Sequence, residues 1–157
     1  APWAGSLIED VKQPLILVTY PGEEAESITR LSRVGFDNVI GYLDGGIDAW
    51  GAAGKEMDTI ERISAKKFTE DFKPLSNALI DIRKESEYET GHINEAINKP
   101  LAYINEWINE LNPNDHFYIH CAGGYRSMIA SSILKARGYH HFSEIEGGYS
   151  AIVDLVK

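Results

Sequence analysis

The sequence predicts an α/β fold built on a central parallel sheet. Three observations carry that reading. Apolar runs of strand length alternate along the chain with segments of helical spacing, and parallel neighbours need connections about as long as a helix. The run "NALIDIR" (77–83) is continuously apolar through Leu79, Ile80 and Ile82, the pattern of a strand covered on both faces. Glycines stand where the helical spacing stops, at Gly35, Gly54 and Gly138, as helix C-caps do.

Taken in order, "PLILVTY" (14–20) is a strand and "EEAESITRLSRVG" (23–35) a helix with Ala25, Ile28 and Leu31 on one face. "DNVIGYL" (37–43) is a strand and "GGIDAWGAAG" (45–54) a short helix. A small, polar, weakly patterned stretch follows, with a linker over 53–58. "TIERIS" is a short strand, and Ser64 is placed to cap the helix "AKKFTEDFK". After strand 77–83 come the helix "KESEYETG", the strand "AINKPL" and the helix "YINEWINELN", whose Ile104, Trp107, Ile108 and Leu111 form one stripe. "HFYIHC" is a strand, "RSMIASSILKARG" a helix, "HFSEIE" a strand and "GGYSAIVDLV" a closing helix.

The chain also repeats itself. "RLSRVGFDNVIGYLDGGIDAW" (30–50) and "ILKARGYHHFSEIEGGYSAI" (133–152) both run helix, glycine, aromatic, strand, acidic residue, Gly-Gly, helix. Residues 1–52 therefore read as the second half of a unit that is complete over 59–157. A half unit leaves one side of its sheet open. It must pack on the complete domain, on another chain (a homodimer exchanging halves is one arrangement) or on sequence absent here. The amino end lacks an initiator methionine and reads as part of something longer.

Composition narrows the function. The net charge of −9 argues against nucleic-acid partners, which need a basic face. No apolar run reaches the roughly 18 residues that suggest a membrane span. One cysteine excludes an intrachain disulfide and a multi-cysteine zinc site, and the five histidines lack metal-ligand spacing. We expect no metal, no cofactor and a cytoplasmic setting.

The chemistry points to Cys121. It stands where an apolar strand ends, and "AGGY" leads directly into a helix. Ligand sites of parallel α/β sheets gather at such carboxyl ends. Gly123 and Gly124 let backbone N–H groups converge, and the helix start and Arg126 add positive charge, conditions that favour a thiolate. Ala122, Gly123, Gly124, Tyr125, Arg126 and Ser127 are thus the expected anion cradle.

"LIDIRKESEYETGHINEAINKPL" (79–101), "HCAGGYRS" and "EIEGGYSAI" resemble three separated signatures of rhodanese-type sulfurtransferase domains, in the right order. The resemblance implies a three-layer α/β/α fold over about 58–157 and a Cys121 that takes a sulfane sulfur as a persulfide. It implies a small anionic sulfur donor and a thiol or cyanide acceptor; thiosulfate, glutathione persulfide and mercaptopyruvate all remain open as donors. Residues 1–52 resemble the back half of a second, non-catalytic unit, of the kind found in tandem rhodaneses and in some proteins appended to metallo-β-lactamase-like persulfide dioxygenases. There Thr19 or Val18 stands opposite the cysteine, and Glu23 and Glu24 replace positive charge.

Around this loop, Asp81 has two readings: it orients the loop or contacts substrate, or it makes a structural hydrogen bond. Arg83 with Glu87 is expected as an ion pair bracing a turn, and His92 as structural. Tyr125 is expected to wall the pocket, with Trp50 and Trp107 as packing residues. The main rival is a cysteine phosphatase or arsenate reductase of the same fold. Its signature loop has five residues between cysteine and arginine, whereas four separate Cys121 from Arg126. The tighter loop suits one sulfur atom better than a phosphate. A second rival is a non-enzymatic module that carries persulfide or docks a partner.

Overall fold

A computed structural model describes residues 2–74 and 78–156. The chain divides into two compact units, Ala1–Asp58 and Thr59–Lys157.

In the first unit a short helix, α1 (Pro2–Leu7), precedes strand β1 (Leu15–Leu17), helix α2 (Glu24–Ser32), strand β2 (Val39–Tyr42) and helix α3 (Gly46–Ala52). β1 and β2 form a two-stranded parallel sheet. The strand expected over 14–20 shortens to three residues because, among the described residues, β1 has one sheet neighbour to pair with. Helix α1 was not foreseen; its one sequence cue is Pro2, preorganised for a first helical turn.

The second unit carries strands β3 (Arg62–Ser64), β4 (Ala78–Asp81), β5 (Ala96–Asn98), β6 (Phe117–His120) and β7 (Phe142–Glu146). They form one parallel sheet in the order β3-β7-β6-β4-β5. The helices are α4 (Ala65–Asp71), α5 (Glu85–Thr90), α6 (Ile104–Trp107), α7 (Tyr125–Ala136) and α8 (Gly148–Val156). Asn77, the first residue of the strand expected over 77–83, lies outside the described residues.

Alternation along the strands builds two cores. Leu79, Tyr118 and Ile145 face Phe68 of α4 and Ile152 of α8. On the other face Phe117 stacks on Phe142 at 5.5 Å, and α7 supplies the buried Ala130 and Leu134. The central strands β4, β6 and β7 are buried almost throughout, which explains their unbroken apolar runs. The Ser64 hydroxyl accepts the Lys67 N–H at 3.1 Å and caps α4 as expected.

The single helix expected over 103–112 is broken. A 3₁₀ turn (Leu101–Tyr103), α6 and a second 3₁₀ turn (Ile108–Glu110) replace it. The apolar stripe is nonetheless real, since Ile104, Trp107 and Ile108 are all buried. The Trp107 indole N–H donates to the Pro100 carbonyl at 2.9 Å. Docking of these side chains overrides a weak helical propensity rich in isoleucine and asparagine.

The two Gly-Gly pairs share their geometry. Gly45 and Gly46 have φ of 74° and 61°, Gly147 and Gly148 of 72° and 55°. A Cβ on Gly46 would strike the Thr19 carbonyl oxygen, as one on Gly148 would strike that of Cys121. Thr19 thus stands to Gly46 as Cys121 stands to Gly148.

Candidate active site

Cys121 follows the last residue of β6 and is 1% exposed. The loop behind it turns at Gly124, whose φ of 102° suits glycine, and α7 begins at Tyr125. The Gly124 N–H donates to Sγ at 3.1 Å, and the Ser127 hydroxyl oxygen lies 3.5 Å from it. The start of α8 holds the outer side of the loop. Tyr149 N–H donates to the Cys121 carbonyl at 2.7 Å and Ser150 N–H to that of Ala122 at 3.1 Å. With the carbonyls drawn toward α8, the loop amides are left to face the sulfur. Gly148 permits that approach because it has no side chain to intervene.

Burial pushes the Cys121 thiol up. Hydrogen bonding from Ser127 and from the N–H groups of Gly124 and Gly123 more than offsets it, so the thiol is held below its ordinary value. Ala122 is half-buried and Gly123 exposed at the rim, while Ser127 is fully buried beneath.

Arg126 differs from expectation. Its guanidinium is not a free anion ligand but is held in two hydrogen bonds by Glu87, at 2.6 and 2.8 Å. Each group reinforces the other's charge. Glu87 is lowered to about 2, first by the Arg126 hydrogen bond, and Arg126 is raised above its usual value by Glu87 and, to a smaller degree, by Cys121. Glu87 therefore braces Arg126 and not Arg83, which corrects the expected Arg83–Glu87 pair.

Arg83 turns instead to Asp81. The buried guanidinium meets the carboxylate with Nε at 2.9 Å and Nη2 at 2.6 Å, donates to the Gly91 carbonyl at 2.8 Å, and lies 4.0 Å over the Tyr149 ring. Asp81 also accepts the Arg83 N–H at 2.9 Å. This clasp matches the structural reading of Asp81. It ties β4 to the turn before α5 and, through Tyr149, to the start of α8.

His120 is fully buried, and burial lowers its pKa. Its Nδ1 lies 3.2 Å from the Cys121 carbonyl oxygen. A carbonyl only accepts, so the proton sits on Nδ1, and burial disfavours a second one on Nε2. Nε2, 4.0 Å from Asp81, has no hydrogen-bond partner among the described residues. Its side chain braces the loop backbone and not the sulfur.

The other expected residues lie farther out. Tyr125 is 71% exposed. His92 stacks on Tyr88 at 3.9 Å and contacts the Tyr88 carbonyl through Nδ1 at 3.0 Å. Trp107 packs as expected, but Trp50 is 40% exposed, with its indole N–H on the Glu56 carbonyl.

Two functional neighbours were missed. Glu144 on β7 is fully buried and accepts the Ser127 hydroxyl at 2.5 Å. Arg62 on β3 holds its other oxygen at 2.8 Å. The available cue was an acidic residue inside "HFSEIE", in a strand otherwise built for burial.

The Rhodanese-like domain model matches residues 64–155. The chain is 39% identical over 61 residues to the "Putative sulfur carrier protein YrkF" of Bacillus subtilis, covering 39% of this chain and 33% of that protein. It is 27% identical to the "Adenylyltransferase and sulfurtransferase UBA4" of Candida glabrata, over 61% of this chain and 26% of that protein. Among solved structures, a rhodanese-like domain protein from Staphylococcus aureus superposes with a TM-score of 0.53 at 31% identity, covering 59% of this chain and 91% of its own. The chain spans less than two thirds of the length of the curated relatives it matches. With the parallel sheet, the cysteine loop at its carboxyl edge and a family model spanning more than half its length all in agreement, the chain belongs to the rhodanese-like domain family.

Proposed function

We propose that the protein is a sulfurtransferase that carries a sulfane sulfur as a Cys121 persulfide. The observation that carries the reading is the convergence of loop donors on a buried sulfur, with Gly124 N–H at 3.1 Å. In the first step the thiolate attacks the outer sulfur of a small anionic donor. With thiosulfate, the Sγ–S bond forms, the donor S–S bond breaks, and its electron pair leaves with sulfite. The persulfide anion then lies within reach of the same amides. Cyanide or a thiolate attacks the outer sulfur next and returns the Cys121 thiolate.

The pairing of Arg126 with Glu87 bears on the rival phosphatase reading. A phosphate dianion would need a free guanidinium, and this one is already bound by a carboxylate. A relay reading is favoured by one observation, the resemblance to a putative sulfur carrier. In that case the sulfur leaves to a protein thiol. Steady-state thiocyanate formation from thiosulfate and cyanide separates the two. Turnover that disappears in Cys121→Ser supports a free-standing enzyme. Stoichiometric loading without turnover supports a relay, and Cys121-independent turnover contradicts both. We read residues 1–52 as a non-catalytic half unit of the same kind, supported by the matched Gly-Gly geometry at Thr19 and Cys121.

A further inference from the structure

Ser127 has one hydroxyl proton and three acceptors around it. Glu144 Oε1 lies at 2.5 Å, the Gly124 carbonyl at 3.0 Å and the Cys121 Sγ at 3.5 Å. The shortest of these is also the charged one, and charge-assisted bonds are about twice as strong as neutral ones. The proton therefore belongs to Glu144. A serine donating to Glu144 turns its lone pairs toward the sulfur, where a thiol S–H can donate to them but a thiolate gains nothing.

Glu144 is in turn fixed. Arg62 stands opposite it in the β3–β7 register, with Nε 2.8 Å from Oε2 and Nη1 3.4 Å from Glu146. We propose that Glu144, anchored by Arg62, is the positioning residue that sets the direction of the Ser127 hydroxyl and so limits how strongly the Cys121 thiolate is held. Under the persulfide reading, on which this purpose rests, a less stabilised thiolate is the better nucleophile toward a sulfur donor.

The remaining charged groups around the sulfur are already engaged. Asp81 is bound by Arg83, and Glu87 by Arg126 and ionised down to about 2, while burial keeps His120 neutral. The exchange of one serine proton between Glu144 and Sγ is the adjustable element.

Glu144→Gln reverses the bond without changing volume. Arg62 only donates, so the new amide must turn its carbonyl to Arg62 and its NH₂ to Ser127. Ser127 then accepts from that NH₂, and its own proton is left to the Gly124 carbonyl at 3.0 Å and the sulfur at 3.5 Å, of which the thiolate is the charged acceptor. Cys121 is the single cysteine, so the pH dependence of its alkylation by iodoacetamide reports its ionisation directly.

We expect Glu144→Gln to move the alkylation midpoint down by about one pH unit. Ser127→Ala should move it by less than about 0.3, because the serine proton was not on the sulfur. Adding Glu144→Gln to Ser127→Ala should then give no further fall. An unchanged or raised midpoint in Glu144→Gln overturns the proposal. So does an equal fall in the Ser127→Ala background, which would mean a direct charge effect. Should Glu144→Gln fail to fold, Ser127→Ala alone decides: a rise of about one unit would place its proton on the sulfur after all. Alkylation needs no sulfur donor, so a Cys121 that loads no sulfur leaves this test intact.

Discussion

Glu87 decides what Arg126 is free to do. In Glu87→Gln the guanidinium loses its carboxylate and becomes available to an anionic donor, so we expect the KM for thiosulfate to fall roughly fivefold. Steady-state kinetics on the variant check this. The same pair has a pH signature. The folded Glu87 titrates near 2 against an ordinary 4.5, so its contribution is fully present above about 4.5 and is lost as pH falls toward 2. Thermal melts between pH 5 and 2.5 should show a decline in the wild type that is shallower in Glu87→Gln. The effect should be modest, because both side chains are partly exposed and screened.

At the scale of elements, the cysteine loop depends on how closely α8 approaches it. Gly148→Ala would push a methyl group into the Cys121 and Ala122 backbone at a φ of 55°. We expect a loss of about 3 kcal/mol in denaturant unfolding, together with a thiol less reactive than in the wild type. Gly123→Ala meets open space at an ordinary φ, so its stability should stay within about 0.5 kcal/mol of the wild type. This contrast also shows what sequence could reveal. The loop 121–127 is local, so its chemistry was legible from neighbouring letters. The bonds that condition it were not. Ser127 meets Glu144 across 17 positions, and Arg126 meets Glu87 across 39. Charge partners at such separations are set by strand order, which periodicity does not encode. For that reason the pairing of Glu87 with Arg126 is invisible in the sequence, while Arg83 turns to Asp81 only two positions away.

At the scale of the whole molecule, the unit Thr59–Lys157 has its own five-stranded sheet and its own core. Its alternation of strands and helices was readable because β4, β6 and β7 are buried on both faces and leave long apolar runs. The break between 101 and 110 was not, since a stripe of buried residues looks alike whether the backbone is one helix or three short turns. A chain of residues 59–157 should unfold in one cooperative transition and keep its alkylation profile; loss of the transition would mean that the first unit is needed for folding. The central claim concerns Cys121, and intact mass tests it most directly. After brief incubation with thiosulfate, the account predicts a gain of one sulfur atom on the wild type, none on Cys121→Ser, and its removal by cyanide. A wild type that gains no sulfur from thiosulfate or from glutathione persulfide, or a Cys121→Ser variant that gains as much, would contradict it.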